Sequence, residues 1–101
     1  MATKKTAKTA PKKAAASGLG AVTLDPNLPL LPGRTVTFIA SPRTFGRAAV
    51  KIVTARDTWM GVPSISGGFA RQAKIIETGL GEITVTFYED GEAYAEGTFS
   101  V

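Results

Sequence analysis

The sequence predicts an all-β domain, a small antiparallel β-sandwich preceded by an extended basic arm. Three observations point there. Apolar and polar residues alternate with a period of two through most of residues 81–101. A second alternating run begins at Arg34. Six prolines and eleven glycines punctuate 101 residues, so turns interrupt the chain too often for long helices.

In chain order, residues 1–17 form the arm. They contain Lys4, Lys5, Lys8, Lys12 and Lys13, with alanine and threonine between them and no aromatic or branched aliphatic side chain. Such a segment buries too little apolar surface to offset its chain entropy. Residues 18–33 read as an extended Pro-rich linker. Pro26, Pro29 and Pro32 exclude a helix, and Pro32-Gly33 marks a turn. The β domain then spans residues 34–101. Its first strand places Val36, Phe38 and Ala40 on one face and Thr35, Thr37 and Ile39 on the other. Ser41-Pro42 ends it. Residues 48–54 form a second strand, with Val50, Ile52 and Thr54 opposite Ala49, Lys51 and Val53, a pattern suited to cover on both faces. Residues 57–65, around the single tryptophan Trp59, read as a short irregular strand or loop. In residues 66–80, Phe69, Ala73, Ile76 and Leu80 recur at helical spacing, so one short helix is expected near 68–78, ended at Gly79.

The last segment is a hairpin. Ile83, Val85 and Phe87 alternate with Glu82, Thr84, Thr86 and Tyr88, and Ala93, Ala95, Gly97, Phe99 and Val101 alternate with Tyr94, Glu96, Thr98 and Ser100. Asp90-Gly91 suggests a two-residue turn. That loop would set Val85 opposite Glu96, across faces. A three-residue loop, Glu89-Asp90-Gly91, pairs Phe87 with Ala93, Val85 with Ala95 and Ile83 with Gly97, and keeps the apolar residues together. The register puts Glu82, Tyr94, Glu96 and Thr98 on the polar face. Small residues on the inner face leave room for a second sheet.

Charge is divided along the chain. The arm has five lysines and no acid. Residues 34–74 carry seven bases against one acid, Asp57, and residues 75–101 carry six acids and no base. The net charge of +4 therefore belongs to the arm. A domain of about 80 residues buries only roughly 60–65% of its unfolded surface, so packing against partners matters to it. Cysteine is absent, which removes disulfides and thiolate metal sites, and suits folding in a reducing cytoplasm. No apolar run reaches membrane-spanning length, and the Ala-rich stretch after the arm is too weakly apolar for a secretory core.

Catalysis finds little footing. Histidine is absent, and Ser64, Ser66 and Ser100 have no base at a recognisable spacing. The acids Glu89, Asp90 and Glu92 crowd a hairpin tip without the ligand spacing of a calcium loop. Gly67-Gly68 lacks the Gly-Lys-Ser/Thr ending of a phosphate loop and reads as a turn. No catalytic residue, cofactor or metal site is expected. Arg43-Thr44-Phe45-Gly46-Arg47 interleaves an aromatic with two arginines, which suits either a surface loop or the stacking of a base. Arg43, Arg47, Arg56 and Arg71 also suit contact with the acidic hairpin, of a neighbouring copy or of the same domain.

Residues 32–41, Pro-Gly-Arg-Thr-Val-Thr-Phe-Ile-Ala-Ser, and residues 81–91, Gly-Glu-Ile-Thr-Val-Thr-Phe-Tyr-Glu-Asp-Gly, resemble an early core strand and a hairpin of immunoglobulin-like β-sandwich modules. Such modules occur in bacterial surface proteins and phage virions. The chain departs from them in lacking a cysteine pair and a tandem repeat. The resemblance implies adhesion or decoration rather than catalysis. It leads to the expectation of a non-enzymatic virion protein, a capsid decoration or accessory protein, made in the host cytoplasm. It would be oligomeric or bound to an oligomer, with protein partners and no membrane. Attachment would use the arm lysines, with Arg43, Phe45, Arg47, Trp59 and Tyr94 contributing from the domain. The alternative is a small nucleic-acid-binding β-barrel, in which five lysines on phosphates would give a log–log salt slope of roughly −4 on duplex DNA.

Overall fold

In the computed structural model, which describes residues 19–41 and 46–101, the chain forms eight strands. They are β1 (Thr23–Asp25), β2 (Thr35–Ala40), β3 (Ala48–Val53), β4 (Thr58–Gly61), β5 (Ser64–Ser66), β6 (Phe69–Ile75), β7 (Glu82–Glu89) and β8 (Glu92–Ser100). Two antiparallel four-stranded sheets result, in the orders β1-β2-β6-β5 and β4-β3-β7-β8. Among the described residues there is no helix. The arm and the Arg43–Phe45 part of the interleaved loop lie outside the described residues.

The inner faces follow the alternation read from the sequence. Val36, Phe38 and Ala40 of β2, Val50 and Ile52 of β3, and Ile83, Val85 and Phe87 of β7 are all buried. Fully burying such a side chain contributes about 1.5–3 kcal/mol, and this cluster is the core between the sheets. Ile76 and Leu80, from the connection after β6, complete it.

Three expectations need correction. The helix near 68–78 is the strand β6. Its partner β2 sets Gln72 opposite Phe38 and Lys74 opposite Val36, so two polar residues occupy inward positions. Phe69, Ala73 and Ile75 lie on the outward side. Inverted polarity erased the period-two signal and left a false helical spacing. Secondly, residues 18–33 are not a bare linker. From residue 19 they are packed into the fold, supplying β1 and burying Val22 and Leu30. Prolines masked this by leaving only three residues free to pair. The Pro32-Gly33 turn is present, closed by an Arg34 N–H to Leu31 carbonyl bond of 3.1 Å.

The hairpin register is the third correction. Glu89 pairs directly with Glu92, leaving a two-residue turn in which Asp90 (φ 53°) and Gly91 (φ 83°) are both left-handed. The extra residue is absorbed further along, where the register shifts between Phe87 and Tyr88 and Tyr94 bulges. Phe87 then faces Ala95, Val85 faces Gly97 and Ile83 faces Phe99. The apolar residues do share one face, but the turn chemistry and the parity are reconciled by a bulge rather than a longer loop. Tyr94 consequently leaves the polar face and packs against the core.

The room beside the small residues of β8 is filled by the chain's own entry segment. Gly20 forms a parallel bridge with Ala95, donating to the Tyr94 carbonyl (2.8 Å) and accepting from the Glu96 N–H (3.0 Å). A Cβ at Gly97 would press on Phe99 and Val22 at 3.0–3.1 Å. The Phe99 ring in turn sits 5.5 Å from that of Phe38. The segment then crosses to the other sheet as β1. One lateral side of the sandwich is therefore closed by residues 19–25.

Candidate functional site

The opposite side is open. The chain passes from β4, the edge of one sheet, to β5, the edge of the other, through Val62 and buried Pro63. β5 pairs with β6 only as far as Arg71, so β6 runs on to Ile75 with no strand on that flank. A cleft of about 540 Å³ opens there between the sheets. Ile52, Asp57 and Trp59 line it from one sheet, and Thr35, residues 72–75 and Glu77 from the other.

Local sequence explains each group. Trp59 pairs with buried Ile52 and so belongs to the inner face, yet β4 is an edge strand and the indole stays 43% exposed. It lies along its own strand over Gly61, where a Cβ would overlap the ring. Gln72 and Lys74 enter the cleft from the inward positions of β6. The Gln72 amide donates to the Ala73 carbonyl at 3.0 Å. Lys74 is half-buried, and among the described residues its ammonium has no hydrogen bond or ion pair. Its apolar stem covers the cleft wall while its ammonium reaches toward water.

Asp57 belongs to the tight β3–β4 turn. The Thr54 hydroxyl accepts the N–H groups of Arg56 and Asp57, both at 3.1 Å, and its own contact with Asp57 Oδ1 is also 3.1 Å. From the same turn, Arg56 reaches Glu77 at 3.3 Å and the Thr78 carbonyl at 3.4 Å. One base and one acid of the divided charge map thus pair within the domain. Both are more than half exposed, so the pair contributes little.

Apolar exposure is concentrated around this side. Among the described residues, six of the nine exposed large apolar side chains lie on β4, β5, β6 or the link between them: Trp59, Met60, Val62, Ile65, Phe69 and Ile75. Arg71 stacks on Phe69 with its guanidinium 5.8 Å from the ring centroid. Sequence reasoning singled out Trp59 here but missed Lys74, Gln72 and Ile75. The excess of apolar residues on the odd positions of 69–75 is the signal that would have found them.

The remaining candidate residues lie elsewhere. Arg47 sits at one end of the sandwich, where its N–H donates to Asp90 Oδ1 (2.8 Å) and its carbonyl accepts the Asp90 N–H (2.9 Å). This pair of hydrogen bonds ties the β2–β3 connection to the β7–β8 turn. It requires glycine at position 46, where φ is 108° and a Cβ would overlap the Asp90 carboxylate. Tyr94 is on β8, at the opposite edge of the same sheet from Trp59 on β4. Burial raises its hydroxyl pKa above the ordinary tyrosine value, and the nearby Glu89 carboxylate adds to the shift. Arg47, Trp59 and Tyr94 therefore do not converge on one surface. The lysines at 4, 5, 8, 12 and 13, with Arg43 and Phe45, lie outside the described residues.

Gly67-Gly68 forms the two-residue turn between paired Ser66 and Phe69. Among the described residues no group of three carboxylate, histidine or cysteine side chains could hold a metal ion. No described helix is long and apolar enough to cross a membrane. Comparison with protein-family models, with curated proteins and with solved structures returned no match.

Proposed function

We propose that this chain is a non-enzymatic assembly module, an immunoglobulin-like sandwich that docks on or helps build a larger particle, with a virion as its setting. The observation that carries the reading is the concentration of exposed large apolar side chains, Trp59, Met60, Val62, Ile65, Phe69 and Ile75, on the strands and link that border the open edge, with Met60 on the outer face of one sheet and Phe69 and Ile75 on that of the other. Exposed apolar side chains concentrated in this way mark an interaction region rather than a solvent-facing one. The strand order supports the immunoglobulin-like part of the proposal. With β1, β2, β6 and β5 read as A, B, E and D, and β3, β7 and β8 as C, F and G, it follows the constant-type arrangement, with β4 added beside C.

In this reading the arm lysines supply electrostatic attachment to an acidic surface, and the domain supplies shape and apolar contact. Deleting residues 1–17 should leave the thermal transition of the domain in place and reduce incorporation into the native particle. The test is fractionation of the native source on a density gradient, with the full chain and the deletion compared by mass spectrometry of the particle fractions. Recovery of the full chain only as a free cytoplasmic monomer would remove the assembly reading. Equal particle occupancy of the deletion would remove the role of the arm.

A further inference from the structure

The open side carries a second kind of information, in the directions of main-chain groups. Residues along a β-strand present their N–H and C=O groups alternately to the two flanks. On β6 the phase is fixed by Ile76, which exchanges bonds with Arg34 (2.9 Å) and Gly33 (2.8 Å) on the β2 side. Lys74 and Gln72 therefore also face β2, and Ala73 and Ile75 present their N–H and C=O groups to the empty flank. Among the described residues, the Gln72 amide on the Ala73 carbonyl is the only side-chain hydrogen bond to these groups.

β8 has a matching free flank. Tyr94 and Glu96 bond Gly20 on the outer side, and Val101 donates to Gly81 on the β7 side at 3.0 Å. Thr98 and Ser100 accordingly face outward, past the point where the entry segment has crossed to the other sheet. Among the described residues, each molecule thus has, besides the outer flanks of the edge strands β1, β4 and β5, these two short unpaired stretches on opposite sides. Their charges are complementary. Arg71 and Lys74 lie on β6 itself, beside Asp57 and a Glu77 that Arg56 already pairs, whereas Glu82 and Glu96 flank the β8 edge and no base occurs in residues 75–101.

We propose that copies of this chain join head to tail by strand pairing, the β6 edge at residues 72–75 of one copy receiving the β8 edge at residues 98–100 of the next. The inference rests on the assembly reading and deepens it, with a second copy of the chain as the partner. Lys74 is the selective element. An inward lysine beside an open edge discourages indiscriminate pairing, because covering it desolvates an ammonium that no described carboxylate pairs with. An approaching β8 edge brings carboxylates and lifts that penalty. Two different patches meet, so the contact is heterologous and propagates into rings or chains rather than stopping at a twofold dimer.

The test is sedimentation velocity of the full chain across about a hundredfold range of concentration, at low and high salt. The expected result is growth beyond a dimer with concentration, weakened by salt. Ala73→Pro and Thr98→Pro each remove one outward N–H and leave the ladders with β2 and β7 intact. Each should be folded by circular dichroism and remain monomeric by itself. Mixed together, the two should form a heterodimer through their remaining edges. Lys74→Glu, which leaves the backbone untouched, should lose association even if a proline variant fails to fold. A wild type that is monomeric throughout, or an Ala73→Pro variant that assembles like the wild type, would overturn the proposal. Neither result bears on particle docking by the arm, so the broader reading stands or falls separately.

Discussion

Lys74→Met should make the domain more stable. Lys74 stands directly opposite Val36, which is 2% exposed, yet its ammonium has no partner among the described residues. Fully burying a methionine contributes about 1.5–3 kcal/mol. Lys74 is only half-buried and its stem already covers the cleft wall, so the gain expected is about 1 kcal/mol. For a domain of this size, 1 kcal/mol moves the thermal midpoint by about 4–8 °C. Urea unfolding followed by tryptophan fluorescence reads it directly, since Trp59 lines the same cleft. Lys51→Met is the control. Lys51 lies on the outer face with its Nζ 6.0 Å from the Tyr88 ring centroid, and its replacement should change stability by no more than about 0.5 kcal/mol. Loss of stability on Lys74→Met would refute the reasoning, since it would mean that the ammonium is held by a favourable interaction in the folded chain. The same variant should aggregate more readily, because the lysine that guards the edge is gone.

Phe87→Ala removes a ring with no solvent exposure from the centre of the core and should cost about 3–5 kcal/mol. That is a large part of the roughly 4–12 kcal/mol expected for about 80 residues, so chemical denaturation should find the variant unfolded or nearly so. Gly46→Ala sets a side chain against Asp90 at a left-handed φ and should cost about 1–3 kcal/mol, with faster amide exchange at Arg47 and Asp90. Fluorescence anisotropy with DNA and RNA at about 50 mM salt should show no saturable binding; a salt slope near −4 would instead favour the nucleic-acid alternative.

The strands legible in the sequence are those with one apolar and one polar face. β2, β3, β7 and β8 pack an inner row against the opposite sheet, and the alternation reports it. β6 was illegible because the open cleft lets polar Gln72 and Lys74 occupy inward positions while Ile75 stands outward, 62% exposed. The hairpin was half legible. Asp90-Gly91 named the turn and the apolar parity named the faces, but only the Tyr94 bulge satisfies both, and a bulge leaves no mark in composition. β1 was hidden by the prolines around it. Of the candidate site, Trp59 was identified from its rarity, whereas Tyr94 was assigned to the wrong face by the missed bulge. The free flanks of β6 and β8 depend on where their neighbours stop pairing, which is a property of the fold rather than of either strand's own residues.

The open edge of β6 is the feature on which the strand-pairing inference depends, and amide hydrogen exchange along that strand tests it most directly. In dilute solution, Gln72, Lys74 and Ile76 should be protected by the ladder with β2, while Ala73 and Ile75 exchange as fast as open loops. Raising the concentration until copies associate should then slow Ala73 and Ile75, together with Thr98 and Ser100. Protection of Ala73 and Ile75 equal to that of their neighbours at high dilution would contradict the account, because the edge would already be occupied within a single chain.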